Sequence, residues 1–198
     1  KIKFADLIRG AIEFDAELLG DFSIAKDEKT PLYNLAAAID DYDMKISHVI
    51  RGEDHISNTP KQLLIYQALG LQPPKFAHLP MILGTDKSKL SKRHGATALT
   101  EYKEMGYLPD ALFNFLALLG WSPQTGNQES GIRNQEIMSR AEIIKQFSLD
   151  AVGKSGAVFN IEKLDWMNGE YIRKMPLEEL TELCVPYLEN YGLRITNY

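Results

Sequence analysis

The apolar positions in the first half of the chain follow two different spacings. Ile2 and Phe4 alternate with polar neighbours, and the apolar residues that follow as far as Ala25 form short runs, which predicts short strands. The run YNLAAAID from Tyr33 predicts a buried helix, and residues 47–51 predict a short core strand. Strand and helix patterns therefore alternate here, as they do in α/β domains.

The strongest helix signal begins near Pro60 and continues through KQLLIYQAL to Gly70. Proline suits the first turn of a helix and glycine the residue after its end, and the preceding SNT at 57–59 offers N-cap oxygens. Residues 78–83 predict the next strand. This order predicts an open α/β sheet, in which ligands bind at the carboxyl ends of the strands.

Strand patterns fade beyond about residue 97, and helical patterns replace them. Apolar residues lie on nearly every side of the segment 109–119, which predicts a buried helix closed by Gly120. Residues 136–147, 160–167 and 176–191 predict amphipathic helices, the second of them opened by Asn160. We therefore place a change of architecture near residues 95–100.

Composition excludes several classes of protein. Of the 198 residues 44% are apolar and 25% are charged, so the chain can bury a hydrophobic core. The 22 Lys and Arg against 27 Asp and Glu give a net charge of −5, so a polyanion would have to bind a local basic patch. The single cysteine, Cys184, excludes an internal disulfide framework and a four-cysteine zinc site.

Features that the sequence lacks lead to further predictions about location and metal binding. No apolar run reaches the length of about 18 residues that a membrane span requires, so we expect a cytoplasmic protein with no membrane partner. The histidines at 48, 55, 78 and 94 match no metal-binding spacing, and we expect neither a metal site nor zinc. His48 and His78 lie within apolar strand patterns, which favours core histidines. The chain begins at Lys1 without a methionine, and we expect a piece of a longer protein.

The basic patch is the stretch GTDKSKLSKRHG at 84–95, with four cationic residues between Lys87 and Arg93. Glycine-flanked loops of this kind bind phosphates through backbone N–H groups and ammonium charge. The stretch is not a P-loop, because neither G-x-x-x-x-G-K-[ST] nor G-x-G-x-x-G occurs in the chain. On charge alone, a solvated surface turn is the commoner explanation.

A second polar cluster, RGEDH at 51–55, lies between the predicted core strand and the predicted helix near Pro60. Loops at strand ends of α/β sheets bind ligands, which makes this cluster a candidate site. The structural alternative is that Glu53 or Asp54 favours the helix N-terminus and that Arg51 pairs with one of them. His55 is more typical of a structural or capping residue than of a catalyst.

Together these segments resemble one family. The loop KLSKR at 89–93 is similar to the K-M-S-K-S loop of class I aminoacyl-tRNA synthetases, in the form typical of glutamyl-tRNA synthetases. Further similar blocks are TPLYN at 30–34, HVIRGEDHISNTPKQLLIYQALG at 48–70, FAHLPMILG at 76–84 and GYLPDALFNFLALLGWSP at 106–123. The resemblance extends over about residues 5–173, and the order of its blocks makes it specific.

The resemblance implies a reaction. Such enzymes use ATP, bound with Mg²⁺, to adenylate L-glutamate and then transfer the glutamyl group to tRNA(Glu). By position, Lys92 would hold the ATP phosphates and stabilise the leaving pyrophosphate, assisted by Lys89 and Ser91. The further residues implied to contact ATP are Leu90, Arg93, Asp54 and the backbone of Ile82. Those implied to bind glutamate are Tyr33, Arg51 and Asn34, and arginine suits a carboxylate through its two-pronged donor geometry.

The resemblance also implies an architecture, a Rossmann-like α/β fold followed by helical regions. Residues 1–28 would end the acceptor-binding insertion, 29–97 would form the second half of the catalytic domain, 98–170 would form the stem-contact region, and 171–198 would begin a helical anticodon-binding domain. The family's H-I-G-H motif occurs nowhere in the 198 residues. We therefore expect that the chain does not aminoacylate tRNA by itself. We also expect a monomer.

Three alternatives stay open. Glutaminyl-tRNA synthetase is the nearest relative, but its loop usually has a hydrophobic residue in place of Lys89, and its C-terminal region is a β-barrel rather than helical. A shortened paralogue that glutamylates a modified tRNA base lacks the anticodon-binding domain, and the helical pattern past residue 171 disfavours it. A non-catalytic RNA-binding or protein-docking module would keep the fold without the chemistry, and the intact basic loop, Arg51 and Tyr33 disfavour it.

Overall fold

The computed structural model describes residues 1–91, 98–123, 136–190 and 192. The strands described are β1 Ile2–Asp6, β2 Gly10–Phe14, β3 Ala25–Asp27, β4 Thr30–Pro31, β5 His48–Gly52, β6 Lys75–Leu79, β7 Ile82–Leu83 and β8 Ala157–Val158. The α-helices described are α1 Ala16–Leu19, α2 Tyr33–Asp43, α3 Thr59–Ala68, α4 Leu99–Glu104, α5 Pro109–Ala117, α6 Arg140–Gln146, α7 Ile161–Lys174 and α8 Leu177–Asn190. Short 3-10 helices cover Glu53–Asn58 and Leu149–Ala151.

The chain divides into two compact units. The first comprises Lys1–Lys89 and two returning segments that begin at Gly120 and Phe147. The second comprises the described parts of Leu90–Leu119, Thr125–Gln146 and Phe159–Tyr198. All described strands belong to the first unit, and after residue 97 the described elements are helices apart from β8. The predicted change from an α/β pattern to a helical one is confirmed.

The main sheet of the first unit has four strands in the order β2-β1-β6-β5. β1 and β2 form an antiparallel hairpin, whereas β6 runs parallel to both β1 and β5. Because parallel strands end at the same edge of a sheet, the carboxyl ends of β1, β5 and β6 lie together. This edge carries the polar residues described below, as the alternation of strands and helices predicts.

Helix α3 connects β5 to β6 and packs on α2 through a small apolar cluster of Ala38, Ile65 and Tyr66. The predicted ending is confirmed, because Gly70 follows the helix with a positive φ of 68°, which glycine adopts without steric cost. The prediction that a side chain caps the N-terminus of α3 is wrong. A 3-10 helix runs directly into α3, so Asn58 has helical φ and ψ and its side chain makes no cap hydrogen bond.

The predicted strand over residues 78–83 is interrupted. β6 ends at Leu79, and Ile82–Leu83 forms the separate strand β7, which pairs with β8. The buried Pro80 lies at the break. Proline has no N–H to donate to a neighbouring strand, which explains why the ladder of β6 does not continue past it.

The core of the second unit lies between α5 and α7. Its buried side chains are Tyr102, Leu112, Phe115, Leu164 and Met167. The prediction that α5 is buried on nearly every side is wrong, because Phe113 and Leu116 are exposed and one face of the helix is open to solvent in this chain. The described helices include none with the length and hydropathy needed to cross a bilayer.

The predicted helix boundaries in this unit are confirmed in part. Asn160 opens α7, because its side-chain oxygen accepts a hydrogen bond from the Lys163 N–H at 3.1 Å. α7 continues to Lys174, beyond the predicted end, and α6 begins at Arg140, later than predicted.

Candidate functional site

Arg51 lies near the carboxyl end of β5, opposite His78 of β6. Its Nε donates to His78 Nε2 at 3.2 Å, and its Nη2 donates to Thr59 Oγ1 at 2.8 Å and Gln62 Oε1 at 2.9 Å. The guanidinium carbon also lies 5.6 Å from the centre of the Phe76 ring. These contacts from β6 and α3 fix the guanidinium in one orientation.

The other terminal nitrogen of Arg51 faces a more open environment. Nη1 lies 3.5 Å from the hydroxyl oxygen of Tyr33, the first residue of α2, and Tyr33 is 52% exposed. A hydrogen bond of that length is weak, so Nη1 can still donate strongly to a ligand. A carboxylate placed beside Tyr33 would accept a charge-assisted hydrogen bond from it.

Asn34 belongs to the same group of side chains. Its Oδ1 accepts a hydrogen bond from Gln62 Nε2 at 3.4 Å, and Gln62 in turn binds Arg51. The structure therefore brings together Tyr33, Asn34 and Arg51, the three residues that the resemblance implies for glutamate binding.

Behind Arg51 lies a fully buried pair, Asp6 and His78. Both side chains are 0% exposed, and Asp6 Oδ2 lies 2.6 Å from His78 Nδ1. Asp6 Oδ1 also accepts hydrogen bonds from the backbone N–H groups of Ile8, Arg9 and His78. The prediction that His78 is a core histidine with partners is confirmed.

The two pKa values of this pair are both lowered. Burial tends to raise the pKa of Asp6, but the backbone N–H groups and His78 more than offset it. Burial lowers the pKa of His78 and outweighs the opposing effect of Asp6. Near pH 7 we therefore assign a charged Asp6 and a neutral His78, with the imidazole proton on Nδ1 facing the carboxylate.

His48 differs from His78, and its prediction as a core histidine is wrong. It is the first residue of β5, which is the outer strand of the four-stranded sheet, and it is exposed. Its Nδ1 lies 2.9 Å from the hydroxyl of the adjacent Ser47.

Within its described part, residues 84–91, the basic stretch contacts the RGEDH cluster through an ion pair. Lys89 Nζ donates to Asp54 Oδ2 at 2.7 Å, and this contact lowers the pKa of Asp54. Both side chains are partly exposed, at 62% and 37%. Such a pair contributes about 1 kcal/mol or less to stability, so other anions can compete for the lysine at little cost.

The structural alternative for RGEDH is supported in its first part and wrong in its second. Glu53 and Asp54 do lie in the first turn of the 3-10 helix that leads into α3. Arg51 pairs with neither carboxylate, because Glu53 pairs with Arg9 and accepts a hydrogen bond from the Met81 N–H at 2.8 Å, and Asp54 pairs with Lys89. His55 Nδ1 lies 3.2 Å from Asn58 Nδ2, which supports the structural role expected for His55. The same nitrogen lies 3.4 Å from the Tyr33 hydroxyl, so His55 is also a neighbour of Tyr33.

The remaining residues implied for ATP binding lie along the chain from β7 onward. Ile82 begins β7 and is 37% exposed. Leu90 is half-buried and Ser91 is exposed. Lys92 and Arg93 lie outside the described residues. Within residues 1–91, 98–123 and 136–190, no group of His, Cys, Asp or Glu could hold a metal ion.

Sequence reasoning missed four residues of this site: Asp6, Arg9, Thr59 and Gln62. The sequence pattern indicates only a cap for Thr59 and only a helical position for Gln62. Asp6 could have been found from its place at the end of a predicted strand, but its partner His78 is 72 positions away in the sequence.

Comparison with known proteins identifies a family whose matching region includes the site residues described above. The family model described as "tRNA synthetases class I (E and Q), catalytic domain" matches residues 1–166, most of the chain. The chain belongs to this family. Members of the family that it resembles include a glutamate–tRNA ligase of Desulforamulus reducens, 54% identical over 191 residues, and one of Aquifex aeolicus, 56% identical over 192.

Two solved class I synthetases share the fold. The crystal structure of a glutamate–tRNA synthetase from Elizabethkingia anophelis is 36% identical, with a TM-score of 0.85 over 99% of this chain. A glutamate tRNA ligase from Elizabethkingia meningosepticum, crystallised in complex with its amino acid, is 36% identical with a TM-score of 0.82. The likeness supports the mixed sheet and helices of a class I synthetase catalytic domain.

The match to these family members covers only part of their length. The alignments include 96% of this chain but 38% of the Desulforamulus protein and 39% of the Aquifex protein. The E. anophelis structure is likewise covered over 42% of its chain.

Proposed function

We propose that this chain supplies the glutamate-binding side of a glutamate–tRNA ligase, which activates L-glutamate with ATP and transfers it to tRNA(Glu). The observation that carries the proposal is the arrangement of Arg51. Its Nε and Nη2 are held by His78, Thr59 and Gln62, while Nη1 faces the exposed Tyr33. A guanidinium fixed in this way recognises a carboxylate without a further loss of side-chain freedom.

The mechanism follows from charge and position. Arg51 and Tyr33 would hold the glutamate, with Asn34 lining the same place. Lys89 and Lys92 would bind the ATP phosphates and stabilise the negative charge that develops on pyrophosphate as it leaves, with Ser91, Leu90 and Arg93 shaping the loop. Asp54 and the Ile82 backbone would contact the nucleoside. Mg²⁺ would arrive on the ATP phosphates rather than on a protein site.

We also propose a role for each segment of the chain. Residues 1–28 would end the acceptor-binding insertion, 29–97 would complete the Rossmann-type domain, 98–170 would contact the tRNA stem, and 171–198 would begin the anticodon-binding domain. We also propose a monomeric, cytoplasmic protein. The 198 residues contain no H-I-G-H motif, so we propose that they do not aminoacylate tRNA without a further segment.

The test is ligand-induced stabilisation of the purified chain. We expect a non-hydrolysable glutamyl-adenylate analogue to raise the melting temperature, and to do so more than L-glutamate or ATP alone, because it combines both sets of contacts. The matched control is the glutaminyl-adenylate analogue, which differs only at the side-chain carboxylate. Greater stabilisation by the glutaminyl analogue would favour the glutaminyl alternative, since the family model spans both types. The absence of stabilisation by either analogue would contradict the proposal.

A further inference from the structure

The buried pair behind Arg51 has a feature that packing alone does not require. His78 contacts charged groups through both ring nitrogens, with Nδ1 2.6 Å from Asp6 Oδ2 and Nε2 3.2 Å from Arg51 Nε. Arg51 can only donate, so His78 Nε2 must be an acceptor there. The imidazole proton then has to lie on Nδ1, where the carboxylate of Asp6 accepts it.

We propose that Asp6 and His78 act as positioning residues for Arg51: Asp6 holds His78 in the Nδ1–H tautomer, so that Nε2 accepts from Arg51 and directs Nη1 toward Tyr33. This inference rests on the proposed function, in which Arg51 binds a carboxylate of the substrate. It assigns a role to two residues that do not touch the substrate themselves.

The surroundings of His78 support this tautomer. Asp6 of β1 is the anion on the Nδ1 side, and Arg51 of β5 is the cation on the Nε2 side. Thr59 of α3 lies 3.2 Å from Nε2 and can both accept from Arg51 and donate to His78. His55 also acts electrostatically on His78, and it disfavours the protonated form, as Arg51 does. A second proton on Nε2 would face the guanidinium and break its hydrogen bond.

Two substitutions of His78 distinguish the roles of its two ring nitrogens. The carboxamide of Asn lies near the position of Nδ1, so His78→Asn keeps a donor for Asp6 and removes the acceptor for Arg51. The longer Gln reaches the position of Nε2, so His78→Gln keeps an acceptor for Arg51 and loses the donor for Asp6. The matched control is His48→Gln, which replaces an exposed histidine outside the site.

The affinity measurement uses the glutamyl-adenylate analogue as the probe. We expect His78→Asn to weaken its binding about tenfold, the effect of losing one hydrogen bond to a charged group, and His78→Gln to weaken it about threefold or less. His48→Gln leaves affinity unchanged. Equal affinities of both His78 variants and of the unsubstituted chain, with folded spectra for all, would overturn the proposal.

A ligand-free measurement keeps this test separate from the proposed function. The ¹⁵N chemical shifts of the His78 imidazole report its tautomer in the unsubstituted chain, and we expect a protonated Nδ1 and an unprotonated Nε2 at pH 7. A protonated Nε2 would overturn the positioning role even if the His78 variants failed to fold. If the tautomer is as expected but the unsubstituted chain does not bind the analogue, the proposed function fails while the geometry of the pair stands.

Discussion

Arg51 and His78 face each other across two paired parallel strands, with Arg51 Nε 3.2 Å from His78 Nε2. The neutral imidazole separates the guanidinium from the charged Asp6, so no carboxylate contacts Arg51 directly on that side. The positive charge of Arg51 is therefore available to a carboxylate ligand on the more open side that faces Tyr33.

The geometry of Arg51 predicts that lysine cannot replace it. Arg51→Lys keeps the charge but presents a single ammonium group, so it cannot bind His78, Thr59 and Gln62 while also facing Tyr33. We expect the affinity for the glutamyl-adenylate analogue to fall at least tenfold and the free energy of unfolding to fall by about 1–3 kcal/mol, because buried acceptors lose their donor. Calorimetric titration and urea unfolding measure the two effects. Unchanged affinity would exclude Arg51 as a ligand-binding residue.

The exposed pair Lys89–Asp54 predicts a different outcome. In Asp54→Asn the carboxylate partner of Lys89 is removed, and we expect pyrophosphate to bind about two- to threefold more tightly because the ammonium no longer has a competing anion. The control is Asp110→Asn, which removes another exposed carboxylate, the partner of Arg140, and has the same effect on net charge. Equal gains in both variants would show that net charge, rather than Lys89, governs the affinity.

The buried pair predicts how stability depends on pH. The pKa of His78 is lowered by burial, so the unfolded chain takes up a proton first as the pH falls below about 6.5. The pKa of Asp6 is also lowered in the folded state, and the stability that this carboxylate contributes is lost as the pH falls further, through its folded-state pKa. We therefore expect two losses of unfolding free energy, the first as the pH falls from about 6.5 toward the folded-state pKa of His78, and the second as it falls below about 3.9 toward that of Asp6.

Urea unfolding at a series of pH values from 8 to about 2 measures both losses, because the loss from Asp6 begins only below about pH 3.9. His78→Gln removes the titrating imidazole, so we expect a smaller decrease between about pH 6.5 and 5 than in the unsubstituted chain. His48→Gln serves as the control. A pH profile that is the same for His78→Gln and the unsubstituted chain would contradict the assignment of a neutral, buried His78.

The second unit offers a test of stability that does not involve the site. Asn114 is fully buried in α5, and its Oδ1 accepts a hydrogen bond from the Met138 N–H at 2.9 Å. The Tyr171 hydroxyl lies 2.9 Å from the same oxygen and 2.5 Å from the Met138 carbonyl oxygen, so its one proton has an acceptor even without Asn114. Asn114→Ala leaves the buried Met138 N–H without its acceptor, and we expect a loss of about 1–3 kcal/mol in unfolding free energy. The control is Leu116→Ala on the exposed face of the same helix. A larger loss in the control than in Asn114→Ala would contradict this account.

Much of the fold could be predicted from local spacing. The spacing of apolar residues predicts the two strands of the β1–β2 hairpin, β5 and α2. The turn residue Gly70 predicts where α3 ends. The break at Pro80 could have been predicted as well, because proline has no N–H to donate to a neighbouring strand. The 3-10 helix over Glu53–Asn58 could not, because the spacing of apolar residues does not distinguish a turn of helix from the loop that we expected there. For the same reason the prediction that residues 57–59 provide a side-chain cap for α3 failed.

The site could be predicted only in part. The rule that ligands bind at strand ends directs attention to Arg51, and the resemblance adds Tyr33 and Asn34. The partners that fix the guanidinium come from another strand and from the helix between them, and only the register of β5 against β6 places His78 opposite Arg51. The roles of Lys92 and Arg93, which lie outside the described residues, stay predictions.

Under the proposed function, the one-sided access to Arg51 also guides the design of inhibitors. A competitive compound gains from a planar acid presented beside Tyr33, where Nη1 donates, and gains nothing from a second acid directed behind the guanidinium, where the charge of Asp6 would repel it.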